Sequence, residues 1–388
     1  YNLANSLKSQ HNFREAKLSY ERAIALNPNF ASAYFNLGNT LRKLNRPEEA
    51  IVKYRQAIVL NQELNGPLTN LGNTLLELGR LEEACSAYIQ AIDLDQNIAE
   101  NYANFSQAIM NLRFHAENRK FYLPLVQLLT KGHFARPSSL APSIVSLVKH
   151  DSRIKKILSK TTPVSSFSEA IYNIKTLDEV RLLHQLMRVC PVSDLEIENL
   201  FVAMRRFILM NLNEFQASAE LIYFLSTLCL HCFTNDYIYF ETHEEVLVVD
   251  KLENELAKIT HRSGQLAAIR VLCFASYRPL HKYKWCRELR SLKDLSIIGL
   301  RLIEEPFIEI SMAANFASVG KISDGVSRKV RAQYEKNPYP RWVKLSISTK
   351  AKSISEVCDD LGLRLQYESI KAVVSPAVLI AGCGTGQH

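Results

Sequence analysis

Three sets of residues in this 388-residue chain have the types and spacing to do chemistry. The first is Val378-Leu-Ile-Ala381-Gly382-Cys383-Gly384-Thr-Gly386. Its apolar run reads as a buried strand. The glycines after it read as a turn that brings bare backbone N–H groups against a ligand. The second is Tyr334-Glu-Lys-Asn-Pro-Tyr339-Pro-Arg341-Trp342, where Pro338 and Pro340 force an extended path. Tyr334, Tyr339, Arg341 and Trp342 are a dense set of groups able to stack on or bond to a substrate or cofactor. The third is a ladder of asparagines. Asn2, Asn36, Asn70 and Asn104 recur every 34 residues, as do Asn5, Asn39 and Asn73. An amide offers two donors and an acceptor, so such a ladder suits an extended peptide backbone whatever its sequence. The alternative is that each Asn bonds its own neighbours.

The ladder needs elements to hold it, and the same period supplies them. Leu3-Ala4, Leu37-Gly38 and Leu71-Gly72 are spaced by 34, as are Leu7, Leu41 and Leu75. Ala16, Ala50 and Ala84 follow, then Tyr20, Tyr54 and Tyr88, then Ala23, Ala57 and Ala91. Small residues let two antiparallel helices approach, and the tyrosine fills the space against the next pair. This pattern resembles the tetratricopeptide repeat, with three repeats over residues 1–98 and a fourth first helix over Ala99 to Leu112. The proline that usually closes a repeat is present as Pro28 but replaced by Gln62 and Gln96. Tyr1 falls inside a first helix, so part of a repeat is expected upstream. In its asparagines the array resembles the superhelix of O-linked N-acetylglucosamine transferases. A stacked array presents an extended surface, which implies a protein or peptide partner in the repeat groove.

From Arg113 the period is lost. Pro137, Ser138, Ser139 and Pro142 make His133 to Pro142 read as a loop. Helix starts are expected at Thr176 with Glu179, Ser193 with Glu196, and Thr242 with Glu245. Leu195–Leu212 has helical spacing, and Phe215–Phe233 is apolar nearly all round, as a buried helix would be. Glu245–Val249 is a short, ambiguous strand signal. Cys229-Leu-His231-Cys232 is metal-like but lacks a second ligand pair, so core packing is expected and no metal. His281-Lys-Tyr-Lys-Trp285 reads as a solvated loop. The expected division is repeats over 1–112, a helical middle domain over 113–325, and an incomplete third domain over 326–388.

Charge and composition bound the function classes. Residues 1–98 carry ten basic and ten acidic residues, whereas 113–162 carry ten and two, and 321–352 nine and two. The two basic stretches read either as solvated linkers or as one face for an acidic partner. No nucleic-acid-binding signature accompanies them, so that partner class is not expected. No apolar run is long enough to span a membrane. Eight scattered cysteines form no disulfide framework, which suits the cytoplasm.

The glycines at the end can be sorted by spacing. A dinucleotide fingerprint needs Gly-x-Gly-x-x-Gly, and Gly386 comes one place early. A P-loop needs a Lys after its last Gly, and none is near. Gly382-Cys-Gly384-Thr-Gly386, with the Tyr-Pro-Arg-Trp stretch ahead of it, resembles motif I of class I methyltransferases and the lead-in of a bacterial family that joins them to tetratricopeptide repeats. That resemblance implies S-adenosylmethionine as cofactor, held over Ala381 to Gly386, and a protein substrate positioned by the repeats. An acidic residue often stands two places before the first Gly; here it is Ile380. The ribose-binding and catalytic residues of that family would fall beyond His388, so a fragment inactive by itself is expected. The fold expected is mainly α: a repeat solenoid, a helical middle, then the first strand and turn of a Rossmann-like α/β domain. Two other functions stay open: a non-catalytic scaffold for protein–protein interaction, and a glycosyltransferase-associated repeat protein.

Overall fold

The computed structural model describes residues 1–132, 134–160, 164–258, 265–291 and 295–315, with Ser353 and Glu356. Every regular element among them is a helix. They fall into two units: residues 1–187 with 192–204, and residues 188–191 with the described residues from Arg205. The expected strand and glycine turn at 378–386 lie outside the described residues.

The first unit opens with hairpins α1 (Asn2–Ser9) and α2 (Phe13–Leu26), α3 (Ala31–Lys43) and α4 (Pro47–Leu60), and α5 (Asn65–Glu77) and α6 (Leu81–Leu94). Close approach within each hairpin depends on the small residue of the first helix. A Cβ on Gly38 would lie 2.6 Å from the Tyr54 ring, and one on Gly72 only 2.5 Å from Tyr88. Ala4 takes that place opposite Tyr20, and both are fully buried. Ala16, Ala50 and Ala84 are also fully buried, so each second helix packs its backbone against the first.

Two kinds of turn recur at 34 residues. Between the helices of a hairpin, His11, Asn45 and Gly79 adopt left-handed backbone, with φ of 61°, 58° and 73°. The next residue's N–H, on Asn12, Arg46 and Arg80, donates to Leu7, Leu41 and Leu75 at 2.9 Å each, which closes the helix end with a Schellman motif. Between hairpins, the side chains of Asn27, Asn61 and Asp95 accept from the N–H two residues on, at 3.2, 2.9 and 2.8 Å. These Asx-turns bend the chain in all three repeats, including the two that have Gln in place of proline.

Helix α7 (Ala99–Met110) continues the stack, with Tyr102, Phe105 and Ile109 fully buried. Beyond it the packing does not break where the period ends. Helices α8 (Tyr122–Lys131), α9 (Pro137–Lys149), α10 (Ser152–Leu158), α11 (Phe167–Asp178) and α12 (Arg181–Met187) belong to the same unit. Ser143 of α9 donates to the Ile109 carbonyl at 2.6 Å, docking α9 on the end of α7. The loop expected from His133 to Pro142 is therefore corrected: α9 starts at Pro137, where a missing N–H costs nothing, and it contains Pro142. His133 itself lies outside the described residues. The described residues of 113–160 are largely helical rather than a linker, and two of their cations are paired locally, Lys149 with Asp194 at 2.9 Å and Arg153 with Asp151 at 2.7 Å. Asp151 caps α10; burial would raise its carboxyl, but Arg153 and Tyr122 hold it down at about 2.

The cap at Thr242–Glu245 forms as a full capping box on α15 (His243–Leu256), as the sequence predicts. The other two differ. Thr176 is buried inside α11, whose cap is Ser166. For α13 (Leu195–Met210) it is Asp194, not Ser193, that accepts from Ile197 N–H at 3.2 Å. The ambiguous Glu245–Val249 stretch is helical, within α15.

The second unit includes the end of α13, then α14 (Ala219–Thr234), α15, α16 (Gln265–Ala275), α17 (Ser296–Gly299) and α18 (Glu305–Asn315). Arg205, 1% exposed, sits at its centre. Its guanidinium donates to the carbonyls of Ser276 and Phe240 at 3.2 and 3.1 Å and lies 4.0 Å from the Tyr277 ring centroid. Tyr277 donates to Glu245 at 2.7 Å, so a buried cation and carboxylate share one aromatic bridge. Cys229, His231 and Cys232 are buried in α14, where Cys packs as a small hydrophobe. His281–Trp285 is not a solvated loop: it lies in two short 3-10 turns, and Tyr283 and Trp285 pack on Phe274 at 5.1 and 5.7 Å.

The left-handed turns give a direct test. Nothing lies within 4 Å of a Cβ on Gly79, so Gly79→Ala adds only backbone strain at φ +73°. It should destabilise the protein by about 1 kcal/mol in denaturant unfolding. A neutral or stabilising result would contradict the turn geometry.

Candidate functional site

The asparagines of the ladder sit on the first helix of each hairpin. Within a hairpin, the tyrosine of the second helix donates to the second asparagine of the first. Tyr20 donates to Asn5 Oδ1 at 2.5 Å, Tyr54 to Asn39 Oδ1 at 2.8 Å, and Tyr88 to Asn73 Oδ1 at 2.7 Å. Between hairpins, the same oxygen takes a second bond. Asn70 Nδ2 donates to Asn39 Oδ1 at 2.7 Å, and Asn104 Nδ2 to Asn73 Oδ1 at 3.1 Å. One amide oxygen thus joins the two helices of a repeat to the first helix of the next.

This bonding fixes which way each amide faces. Both lone pairs of the Asn39 oxygen are used, so its amino group is left to point outward, and among the described residues it has no partner. Asn70 spends one N–H and keeps its carbonyl oxygen unbonded. Each junction therefore presents a donor beside an acceptor, the complement of a peptide unit's C=O and N–H. Asn73 and Asn104 repeat the arrangement. The first junction differs: Asn36 Nδ2 donates to the Tyr1 hydroxyl at 2.9 Å, and Lys8 Nζ donates to Asn36 Oδ1 at 2.9 Å. Asn2 is exposed at the start of α1. The expectation that these amides bond their own neighbours is met at Asn5, Asn36, Asn39, Asn70, Asn73 and Asn104; Asn39 and Asn73 keep an amino group, and Asn70 and Asn104 an Oδ1, outside that bonding.

Burial and charge tune the tyrosines. Burial pushes the Tyr20 and Tyr54 hydroxyls up to about 12, and that of Tyr88 upward as well. They remain neutral donors throughout the physiological range. At the fourth first helix a separate, buried network locks the register: Thr69 donates to Asn101 Oδ1 at 2.8 Å, and Asn101 Nδ2 to Asn65 Oδ1 at 3.1 Å.

The 34-residue period matches a known repeat family. Tetratricopeptide-repeat family models match residues 1–63 and 67–98. Those residues are tetratricopeptide repeats. Among solved structures, that of MamA is similar at a TM-score of 0.31 and 16% identity, over 46% of this chain and 95% of that one. The structure of YrrB, described as a TPR protein with an unusual peptide-binding site, is similar at a TM-score of 0.30 and 20% identity, over 47% of this chain and 88% of that one. A tetratricopeptide repeat protein from Parabacteroides merdae is similar at a TM-score of 0.29 and 14% identity, over 80% of this chain and 96% of that one. No curated protein sequence matches the chain.

Outside the ladder of the repeats, an apolar hollow of about 360 Å³ lies among Pro28, Tyr34, Val52, Val59 and Leu60. It offers shape but no polar chemistry beyond Arg55 and Gln56. Among the described residues, no group of three or more His, Cys, Asp or Glu gathers to hold a metal. No helix among them is long and apolar enough to cross a membrane. Tyr334, Tyr339, Arg341, Trp342, Ala381, Gly382, Cys383, Gly384 and Gly386 lie outside the described residues. The tyrosine partners of the ladder were in the period from the start; what spacing alone did not show is that Tyr54 and Asn70 converge on one oxygen.

Two outcomes follow from this bonding. Asn39→Ala strips the partner from a buried tyrosine hydroxyl and from Asn70, and should cost about 1–3 kcal/mol, against almost nothing for exposed Asn2→Ala, by denaturant unfolding. Stability should also fall between about pH 10 and pH 12, because the unfolded tyrosines ionise first while Tyr20 and Tyr54 hold their protons to about 12. A chain whose unfolding midpoint is flat over that window would contradict the buried hydroxyl bonds.

Proposed function

We propose that the repeats bind an extended polypeptide segment along their first helices, and that this recognition is the working activity of residues 1–112. The observation that carries it is the alternation of an unbonded amide donor on Asn39 and an unbonded acceptor on Asn70, repeated at Asn73 and Asn104. A bound strand would supply the missing partners without regard to its side chains, so the module would take many sequences in one backbone conformation. Buried cysteines outside any disulfide, Cys85, Cys190, Cys229, Cys232 and Cys273 among the described residues, suit a reducing compartment such as the cytoplasm.

A second reading concerns what the recognition serves. The glycine spacing at Gly382, Gly384 and Gly386, with the Tyr334–Trp342 lead-in, favours an S-adenosylmethionine-dependent methyltransferase domain that receives its protein substrate from the repeats. Ala381 and Cys383 would complete the turn beneath the cofactor. This reading rests on the residues and their resemblance alone.

The two readings are tested separately. Fluorescence anisotropy with unstructured peptides should show saturable binding that Asn70→Ala and Asn104→Ala each weaken severalfold while leaving the fold intact. Binding unchanged in both variants would overturn the groove. For the second reading, labelled S-adenosylmethionine should bind the protein at the length found in the cell, and Gly384→Val should abolish it. No binding to that protein would leave the repeats as a scaffold.

A further inference from the structure

The side chains that flank the asparagines are not evenly charged. On a helix, residues three or four apart share a face. Lys8 follows Asn5 by three on α1, and Arg42 and Lys43 follow Asn39 by three and four on α3. Glu77 follows Asn73 by four on α5, and Glu100 precedes Asn104 by four on α7. The first two repeats therefore set cations beside the ladder, and the next two set carboxylates beside it.

None of these five groups has a salt-bridge partner among the described residues. Charges on and just before the second helices behave differently: Arg55 pairs with Glu83 at 2.7 Å and Arg80, the cap of α6, with Glu48 at 3.1 Å, each tying neighbouring repeats. Two of the three cations are also partly removed from water, while Lys43 is exposed. Lys8 is half-buried with Asn36 Oδ1 as its partner at 2.9 Å. Arg42 is half-buried, and its Nη1 is shielded from solvent with no hydrogen-bond partner. Arg42 and Glu77 both act on the Tyr54 hydroxyl, which burial raises most: the guanidinium opposes that rise and the carboxylate adds to it. Both charges therefore stand close to the ladder itself.

We propose that the groove selects a dipolar peptide: an extended segment with an acidic side chain over Lys8 and Arg42 and a basic side chain over Glu77 and Glu100. The inference rests on the peptide-groove reading above and adds the ligand's charge pattern to it. The Asn junctions hold the backbone, and the flanking charges set which segments bind and in which orientation. First helices packed side by side stand about 10 Å apart, so two repeats span about 20 Å, or about six residues of extended chain. The acid and the base should be about six residues apart.

The test is anisotropy at 0.15 M salt, using the full chain and four ten-residue peptides: one with Asp and Arg six residues apart, one with two Asp, one with two Arg, and one neutral. The dipolar peptide should bind roughly tenfold tighter than either like-charged peptide. Glu77→Lys with Glu100→Lys, both at exposed positions, should move the preference to the two-Asp peptide, and Lys8→Glu should move it towards the two-Arg peptide. All four peptides binding equally, or variants that leave the ranking unchanged, would overturn the charge selection and keep the groove. No binding by any peptide would overturn both.

Discussion

Two amide oxygens, those of Asn39 and Asn73, tie the successive hairpins of the repeats together. Asn39 Oδ1 accepts from Tyr54 at 2.8 Å and from Asn70 at 2.7 Å. The first bond closes a hairpin and the second joins it to the next. Neither can form unless the helices approach as closely as Gly38 and Gly72 allow. The small residue, the buried tyrosine and the paired asparagines are thus one device, and the 34-residue period is its repeat. Hydrogen bonds of this kind contribute about 1 kcal/mol net each, so they do not drive folding. They fix register: an array held by apolar contact alone could slip, whereas a doubly bonded oxygen has one position.

The same bonding underlies the proposed recognition. A free amide can rotate by half a turn and present either end. Here the oxygen of Asn39 is held inward by two donors, so the amino group must face out. The inner face is thereby preorganised, and a ligand strand need not order it. In the proposed groove, Asn39 and Asn73 would serve structure with the oxygen and recognition with the amino group, so the two readings of the ladder are not rivals.

Much of this was legible in the sequence. A strict period brings residues into equivalent environments, so Leu37-Gly38, Tyr54 and the asparagines announced the helices and their contacts. The turn chemistry was less visible because different residues meet one requirement. His11, Asn45 and Gly79 all supply left-handed backbone, and Asn27, Asn61 and Asp95 all close an Asx-turn, yet neither set is a run of identical residues. Where the period stops, local signals misled. Pro137 reads as a breaker but is tolerated in a first turn, and Thr176 has a cap's spacing but lies buried within α11. The glycine run at 382–386 lies outside the described residues.

The claim that the ladder is preorganised scaffold and ligand site at once can be tested by side-chain amide NMR. With a ten-residue peptide added, the Nδ2 resonances of Asn39 and Asn73 should shift, while those of Asn27 and Asn61 in the turns stay in place. Without peptide, the Asn70 Nδ2 proton bonded to Asn39 should exchange with water markedly more slowly than its geminal partner. Equally fast exchange of both Asn70 protons, or peptide shifts at Asn27 and Asn61 with none at Asn39, would contradict the account.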